Sequence, residues 1–301
     1  MARLEPASAD LLPGHRLFLQ REDEHELGAF KWRGALPTLE RYRRSGAEGV
    51  VTASTGNHGA ATAWAAARHG MRAVVFVPDG ASAAKLDLLG RLGAELVVGG
   101  ADLDVAKAAG AAYADEHHLP FFEDGAERAQ FEAYAAIADE IVTQAPDLPG
   151  AVLVPVGNGA LLIGVGSRLA EIAPSVRRIG VAAREAPVMS HSFAAGRVVE
   201  SQRCATFADG LAVRVAIPLA VTELQTAADE MVEVSERELA LAVGALAAAG
   251  LRVEGSAAAS LAGARAIADR LPERVVLLIT GRNIDEQLWR RAVERPGSFP
   301  G

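Results

Sequence analysis

Short apolar runs that end in small or turn-forming residues alternate with longer helix-patterned stretches along most of this chain. GVVTAS (49–54) leads into HGAATAWAAARHG (58–70), a helix pattern closed by Gly70. RAVVFVP (72–78) is stopped by Pro78 and followed by a helical segment with Lys85, Leu86, Leu88 and Leu89. AELVVGG (94–100) precedes a helix through 101–118, and AVLVPVG (151–157) precedes one from about 160 to 173. RRIGVAA (177–183), MVEVS (231–235) and RVVLLIT (274–280) complete the set. Strands separated by helices of this length form βαβ units in a mostly parallel sheet. Uninterrupted apolar strands such as VVFV fit sheets covered on both faces. The spacing is too uneven for an eight-fold barrel, so two doubly wound α/β lobes are expected.

Composition removes several function classes. Half of the 301 residues are hydrophobic and 23% are charged, which supplies a core and excludes wholesale disorder. A net charge of -8 opposes binding to a phosphate backbone, so no nucleic-acid partner is expected. The single cysteine, Cys204, excludes an intramolecular disulfide and any CxxC zinc site. No transmembrane helix is expected, and the first twenty residues lack the unbroken apolar stretch of a signal peptide. A cytoplasmic location is the corresponding expectation.

In open α/β sheets, ligands bind beyond the carboxyl ends of strands, so the segments that follow strands carry the functional information. Ser54-Thr55-Gly56-Asn57-His58 joins a strand to a helix and can present free amides to an anion. A simple N-cap explains the same residues equally well. Val156-Gly157-Asn158-Gly159-Ala160 is a second strand-to-helix loop, where glycines let the backbone approach a phosphate. It lacks the Gly-Lys-Ser/Thr of a P-loop, and Leu162 stands where a dinucleotide fingerprint needs its third glycine. Thr280-Gly281-Arg282-Asn283 ends the last strand with a hydroxyl, or forms a plain Gly/Asn turn. Lys31 lies between Phe30 and Trp32, where desolvation favours a neutral, nucleophilic amine. On that octapeptide alone, a surface lysine laying its stem past apolar neighbours is the stronger reading. A lysine, an anion loop, a phosphate loop and a late hydroxyl, in that order, are the parts a pyridoxal-phosphate enzyme needs.

The chain resembles the serine/threonine dehydratase and serine racemase family of pyridoxal-phosphate enzymes, the tryptophan-synthase-like group of fold type II. FKWRGA resembles its Schiff-base signature, ASTGNHG its substrate-carboxylate loop, VPVGNGALL its phosphate loop and TGRN its terminal Ser-Gly-Gly-Asn. FADGLAV (207–213), VEGSAAASLAG (253–263) and the tail LWRRAVERPGSF (288–299) match in order as well.

The resemblance implies two lobes with pyridoxal 5'-phosphate in the cleft between them. Residues 1–45 and 129–301 would form a large cofactor-binding domain, and 46–128 a small substrate-side domain. Lys31 would carry the cofactor as a Schiff base, and Asn57 would bond its phenolic oxygen. Gly157, Asn158, Gly159 and Ala160 would wrap the phosphate. Thr280 would face the pyridine nitrogen, with Glu254 near the ring. Ser54, Thr55, Asn57 and His58 would line the substrate-carboxylate site. A homodimer is the implied assembly, and the roughly twenty residues after Thr280 are expected to hold no regulatory domain.

Several departures from the family pattern stand out. Asn158 and Ala160 replace phosphate-loop glycines, and Ala29 replaces a serine before the Phe-Lys pair. Thr55 occupies the position at which racemases of the family use a serine on the face opposite the lysine. Ala182 occupies the position of a metal-binding glutamate in some relatives, with Glu185 three residues too late, so no metal is expected. The segment 120–141 has Glu123-Asp124 and Glu132-Ala133-Tyr134 where dehydratases show a His-Pro pair and a Gly-Gln-Gly-Thr stretch.

The implied activity is an ammonia-lyase (dehydratase) reaction on a small β-hydroxy amino acid, giving a 2-oxo acid and ammonia. Lys31 would remove the Cα proton as general base. Racemisation and β-replacement are rivals within the family. A non-catalytic cofactor binder is the rival from another class, opposed by the retained Lys31 and Thr280. A nicotinamide dehydrogenase is opposed by Leu162.

Overall fold

Seven apolar runs read from the sequence become strands in the computed structural model, which describes residues 1–201 and 203–301. The strands are β1 (Arg3–Pro6), β2 (Arg16–Arg21), β3 (Gly49–Ala53), β4 (Arg72–Val77), β5 (Glu95–Val98), β6 (Ala151–Pro155), β7 (Arg177–Ala183), β8 (Glu230–Val234) and β9 (Arg274–Ile279). The first helices are α1 (Trp32–Arg44), α2 (Asn57–His69), α3 (Ala83–Arg91), α4 (Leu103–Glu116) and α5 (Arg128–Gln144). Then come α6 (Ala160–Ile172), α7 (Val188–Ala195), α8 (Pro218–Ala227), α9 (Glu236–Ala248), α10 (Gly255–Ala266) and α11 (Glu286–Glu294). Among the described residues no helix is long and apolar enough to cross a membrane.

The chain divides into two compact units, Lys31–Ala133 and Met1–Phe30 with Tyr134–Gly301. The sequence boundaries at 45/46 and 128/129 differ from these by the length of α1 and the start of α5. Helix α1 packs on α2, with Trp32 edge-on to Trp64 at 6.2 Å, and so groups with the smaller unit.

In the smaller unit, β3, β4 and β5 form a parallel sheet in that order. Alternate residues of β4 serve opposite faces, as the two-residue period of a strand requires. Val74 and Phe76 pack with Val51 of β3 and with Ala106 and Ala114 of α4. Val75 and Val77 pack with Ala60 of α2 and Leu89 of α3. The run VVFV is uninterrupted because helices cover both faces. Each valine, leucine and phenylalanine among these side chains contributes about 1.5–3 kcal/mol of burial. The C-terminal end of β3 leads directly into the loop before α2.

In the larger unit, six strands run in the order β1-β2-β9-β6-β7-β8. All neighbours are parallel except β1, which pairs antiparallel with β2. Leu17, Leu153, Ile179, Val181, Val275 and Leu277 share one core with α9 and α10. The intervening Val152, Val154, Val276 and Leu278 are also buried, so this sheet too is covered on both sides. Helix α9 opens with a capping box: Ser235 Oγ accepts from the Glu238 amide at 3.3 Å, and the Ser235 amide donates to Glu238 Oε2 at 2.6 Å. Strands β6 and β9 are neighbours, with Leu153 opposite Leu277. The loop after β6 and Thr280 after β9 therefore emerge at the same edge of the sheet.

Candidate active site

In the smaller unit Lys31 and His58 converge on one partly buried carboxylate. Lys31, at the start of α1, places Nζ 2.5 Å from Oδ2 of Asp124. Asp124 Oδ1 accepts a hydrogen bond from Gln130 Nε2 at 2.6 Å. The Gly125 amide donates to Gln130 Oε1 at 2.8 Å, which fixes the orientation of that side-chain amide. His58 places Nε2 3.1 Å from the carbonyl oxygen of Phe122 and Nδ1 3.6 Å from Asp124 Oδ1. The carbonyl only accepts, so Nε2 carries hydrogen and the neutral ring turns a bare Nδ1 toward the carboxylate. The imidazole packs at 4.5 Å on the fully buried Phe122 ring.

Burial and neighbouring groups set the electrostatics of this cluster. Burial pushes Asp124 up, but the Lys31 ammonium, His58, and hydrogen bonds from Lys31 and Gln130 outweigh it and hold the carboxyl well below the usual range. Burial pushes His58 below the ordinary imidazole value, with Lys31 adding to the effect and Asp124 opposing it. Glu123 pairs with Lys107.

Thr55, between Ser54 and Gly56, is partly buried. The Gly56 amide donates to Ser54 Oγ at 3.1 Å. A Cβ on Gly59 would lie 2.5 Å from the Ser54 carbonyl oxygen, so the loop folds directly onto the first turn of α2. Gly56 supplies α2 with no side-chain cap, and the first amides of α2, from Asn57 onward, are not satisfied from that position. The His58 side chain turns toward residues 122–124, so what it presents at the loop is its backbone.

In the larger unit, four motifs meet in a chain of close approaches. A Cβ on Gly157 would overlap the Gly210 carbonyl oxygen of the FADGLAV segment. One on Gly210 would lie 2.8 Å from Ser256 Oγ. Ser256 Oγ donates to Glu254 Oε1 at 2.7 Å, and a Cβ on Gly281 would lie 2.6 Å from that same Glu254 oxygen. The loop needs glycine twice: for close approach at 157, and at 159 for a φ of 96°. Ala160 begins α6, and its amide donates to Asn158 Oδ1 at 3.1 Å. Asn158 thus engages one amide of the loop, which residue types alone did not reveal. Thr280 is 3% exposed, and its hydroxyl meets no hydrogen-bond partner among the described residues.

Sequence reasoning marked segment 120–141 as atypical without giving Asp124 or Gln130 a role. The departure of Glu123-Asp124 from the dehydratase pattern was the available signal. Tyr134 is fully buried against Phe30, 5.1 Å between rings, and is core. Ala182 lies in β7 opposite Glu233, and Glu185 stands 3.7 Å from Arg203. Among the described residues no group of three or more His, Cys, Asp or Glu side chains could hold a metal ion.

Residues 3–281 match the family described as pyridoxal-phosphate dependent enzyme. An L-threonine ammonia-lyase of Geobacter sulfurreducens is 34% identical over 286 residues, covering 94% of this chain and 71% of the relative. An L-threonine ammonia-lyase of Thermotoga maritima is 32% identical, covering 94% and 71%. The processed form of threonine deaminase isoform 2 from Solanum lycopersicum superposes with a TM-score of 0.91 at 30% identity, covering 97% of this chain and 87% of that one. With both lysine and phosphate-loop motifs inside the matched region, the chain belongs to the pyridoxal-phosphate-dependent enzyme family.

Proposed function

We propose that this protein is an ammonia-lyase (dehydratase) of a small β-hydroxy amino acid, serine- or threonine-like, releasing a 2-oxo acid and ammonia. The observation that carries the reading is the Lys31 amine held 2.5 Å from Asp124, on the motif that marks the cofactor lysine. The L-threonine ammonia-lyase relatives support the same reaction class.

The residues present fit the cofactor. The glycine-lined approach at Gly157 leaves backbone amides where side chains would otherwise stand. The buried Thr280 hydroxyl suits a neutral ring nitrogen, and Lys31 is a partly buried amine. When bound, the cofactor supplies an electron sink for the carbanion left at the substrate Cα. Lys31 would hold it, and its amine nitrogen would take up the Cα proton. Gly157, Asn158, Gly159 and Ala160 would hold its phosphate, and Glu254 and Asn57 would hold its ring. Ser54, Thr55 and the amides of Asn57 and His58 receive the substrate carboxylate and orient the Cα–H bond. The same reading carries a cytoplasmic homodimer, which light scattering on the purified protein checks.

The test is borohydride reduction of the pyridoxal-phosphate-loaded protein, followed by peptide mass mapping and by 2-oxo acid assays with L-serine and L-threonine. A reduced adduct on Lys31 and 2-oxo acid release are expected. An adduct on another lysine, or turnover without 2-oxo acid, overturns the reading.

A further inference from the structure

Asp124 brings a carboxylate to the amine that the proposed function makes the working base, from a segment in which the chain departs from the dehydratase pattern. Oδ2 stands 2.5 Å from Lys31 Nζ. Gln130 donates to the other oxygen at 2.6 Å and is itself held by the Gly125 amide, so the carboxylate keeps its direction. The Asp124 side chain is 24% exposed, so it is not sealed off from a small molecule beside Lys31.

The negative charge at this place persists. The carboxyl is held well below the usual range. His58, whose Nδ1 lies 3.6 Å from Oδ1, is neutral because burial opposes its protonation. Gln130 carries no charge, and Glu123 is paired with Lys107. Lys31 supplies a compensating cation, and gives it up whenever its amine is the neutral form that a base requires. A general base works within about 3 Å of the atom it deprotonates. With Nζ that close to the substrate Cα, and Oδ2 2.5 Å from Nζ, a donor on Cβ comes within hydrogen-bond reach of Oδ2.

We propose that Asp124 selects the substrate by its Cβ substituent, accepting a hydrogen bond from a hydroxyl or ammonium there and repelling a carboxylate. The substrate class narrows to small amino acids with a donor on Cβ and no acidic side chain. A methyl in that place leaves the charged acceptor without the donor it would gain, which costs binding. A carboxylate meets a like charge at close range and loses more. A residue that only anchored Lys31 would weaken every ligand alike on removal, whereas a selecting residue changes the ratios between ligands.

The inference rests on Lys31 being the working amine. Its test measures dissociation constants of amino acids for the pyridoxal-phosphate-loaded protein, from the absorbance change on rapid mixing, before turnover. L-Serine against L-alanine reports the hydrogen bond, because both side chains are uncharged. L-Asparagine against L-aspartate reports the charge in matched shapes. Wild type is expected to favour L-serine over L-alanine about tenfold, and L-asparagine over L-aspartate about tenfold or more. Asp124→Ala should bring both ratios near unity. Asp124→Asn, which keeps the shape and an acceptor, should level asparagine and aspartate while retaining part of the serine preference. Each ratio is taken within one protein, so a loss of folded or loaded protein cancels. Glu123→Gln removes a charge from the adjacent residue and should leave both ratios at their wild-type values. Wild-type ratios in Asp124→Ala, or a shift in Glu123→Gln as large as in Asp124→Asn, overturn the inference. The borohydride adduct separately reports whether Lys31 is the Schiff-base lysine. Ratios that fail to move in a protein labelled at Lys31 therefore overturn selection by Asp124 and leave the reaction class standing.

Discussion

The backbone of Gly157 lies so close to that of Gly210 that a Cβ on Gly157 would overlap the Gly210 carbonyl oxygen. Neither partner is a flexible side chain, so Gly157→Ala must displace the loop or the 209–211 turn. The expected cost is about 1–3 kcal/mol of stability, with at least about tenfold weaker pyridoxal-phosphate binding. Urea unfolding and a cofactor titration measure the two effects. Wild-type values for both would show that the loop is looser than its contact implies.

Lys31→Ala should abolish the cofactor's covalent attachment and lower turnover by about three orders of magnitude or more, as removal of an essential nucleophile does. Stopped assays of 2-oxo acid release read the loss. A variant that keeps its borohydride-reducible adduct would place the Schiff base on another lysine.

Chelators should leave activity unchanged. Ala182 offers no ligand from β7, and Glu185 lies beside Arg203. Activity that disappears with EDTA and returns with magnesium would contradict this expectation.

Acid should weaken the Lys31–Asp124 pair with a defined sign. The Asp124 carboxyl is held below its ordinary value in the folded protein. Its contribution is therefore complete above the unfolded pKa of about 3.9 and is lost as pH falls through the folded value. The difference in unfolding free energy between wild type and Asp124→Asn should be constant above about pH 5 and shrink from about pH 4 toward about pH 2. A difference that is constant or grows on acidification would mean that the carboxylate charge is not what stabilises the pair.

The sheet strands were legible where both faces are covered, because a run such as VVFV has no polar phase to hide it. β1 was not, since RLEP is a four-residue edge strand with exposed ends at Arg3 and Pro6, and its pairing is decided by β2. β2 carries the apolar core Leu17-Phe18-Leu19, but arginines at both ends disguise it. Lys31 and the Gly157 loop were legible through the order of their motifs. The Asp124 contact was not, because Lys31 and Asp124 lie 93 residues apart and only the fold joins them. The turning of His58 toward Phe122 depends likewise on a contact across 64 residues.

On the proposed reading, the outcome of proton transfer is decided at Thr55. Racemisation needs protonation from both faces of the cofactor, whereas elimination needs proton removal from one face and a leaving group. Lys31 serves one face on the proposed reading, and the Thr55 position serves the other. Thr55 sits in a short loop between β3 and α2 that is pinned by the Gly56–Ser54 hydrogen bond and by the approach of Gly59 to the Ser54 carbonyl. A loop so held has little freedom to back away from a ring, and the branched side chain of threonine has fewer χ1 choices than serine and an extra methyl to place. A hydroxyl is also a poor acid or base unless neighbours tune it. Elimination should therefore exceed racemisation by about tenfold or more, roughly 1.4 kcal/mol between the two barriers. Chiral analysis of residual L-serine or L-threonine alongside 2-oxo acid release measures the ratio. Thr55→Ser should raise the D-isomer fraction. If the wild-type enzyme forms D-isomer as fast as 2-oxo acid, the crowding at Thr55 does not control the second face.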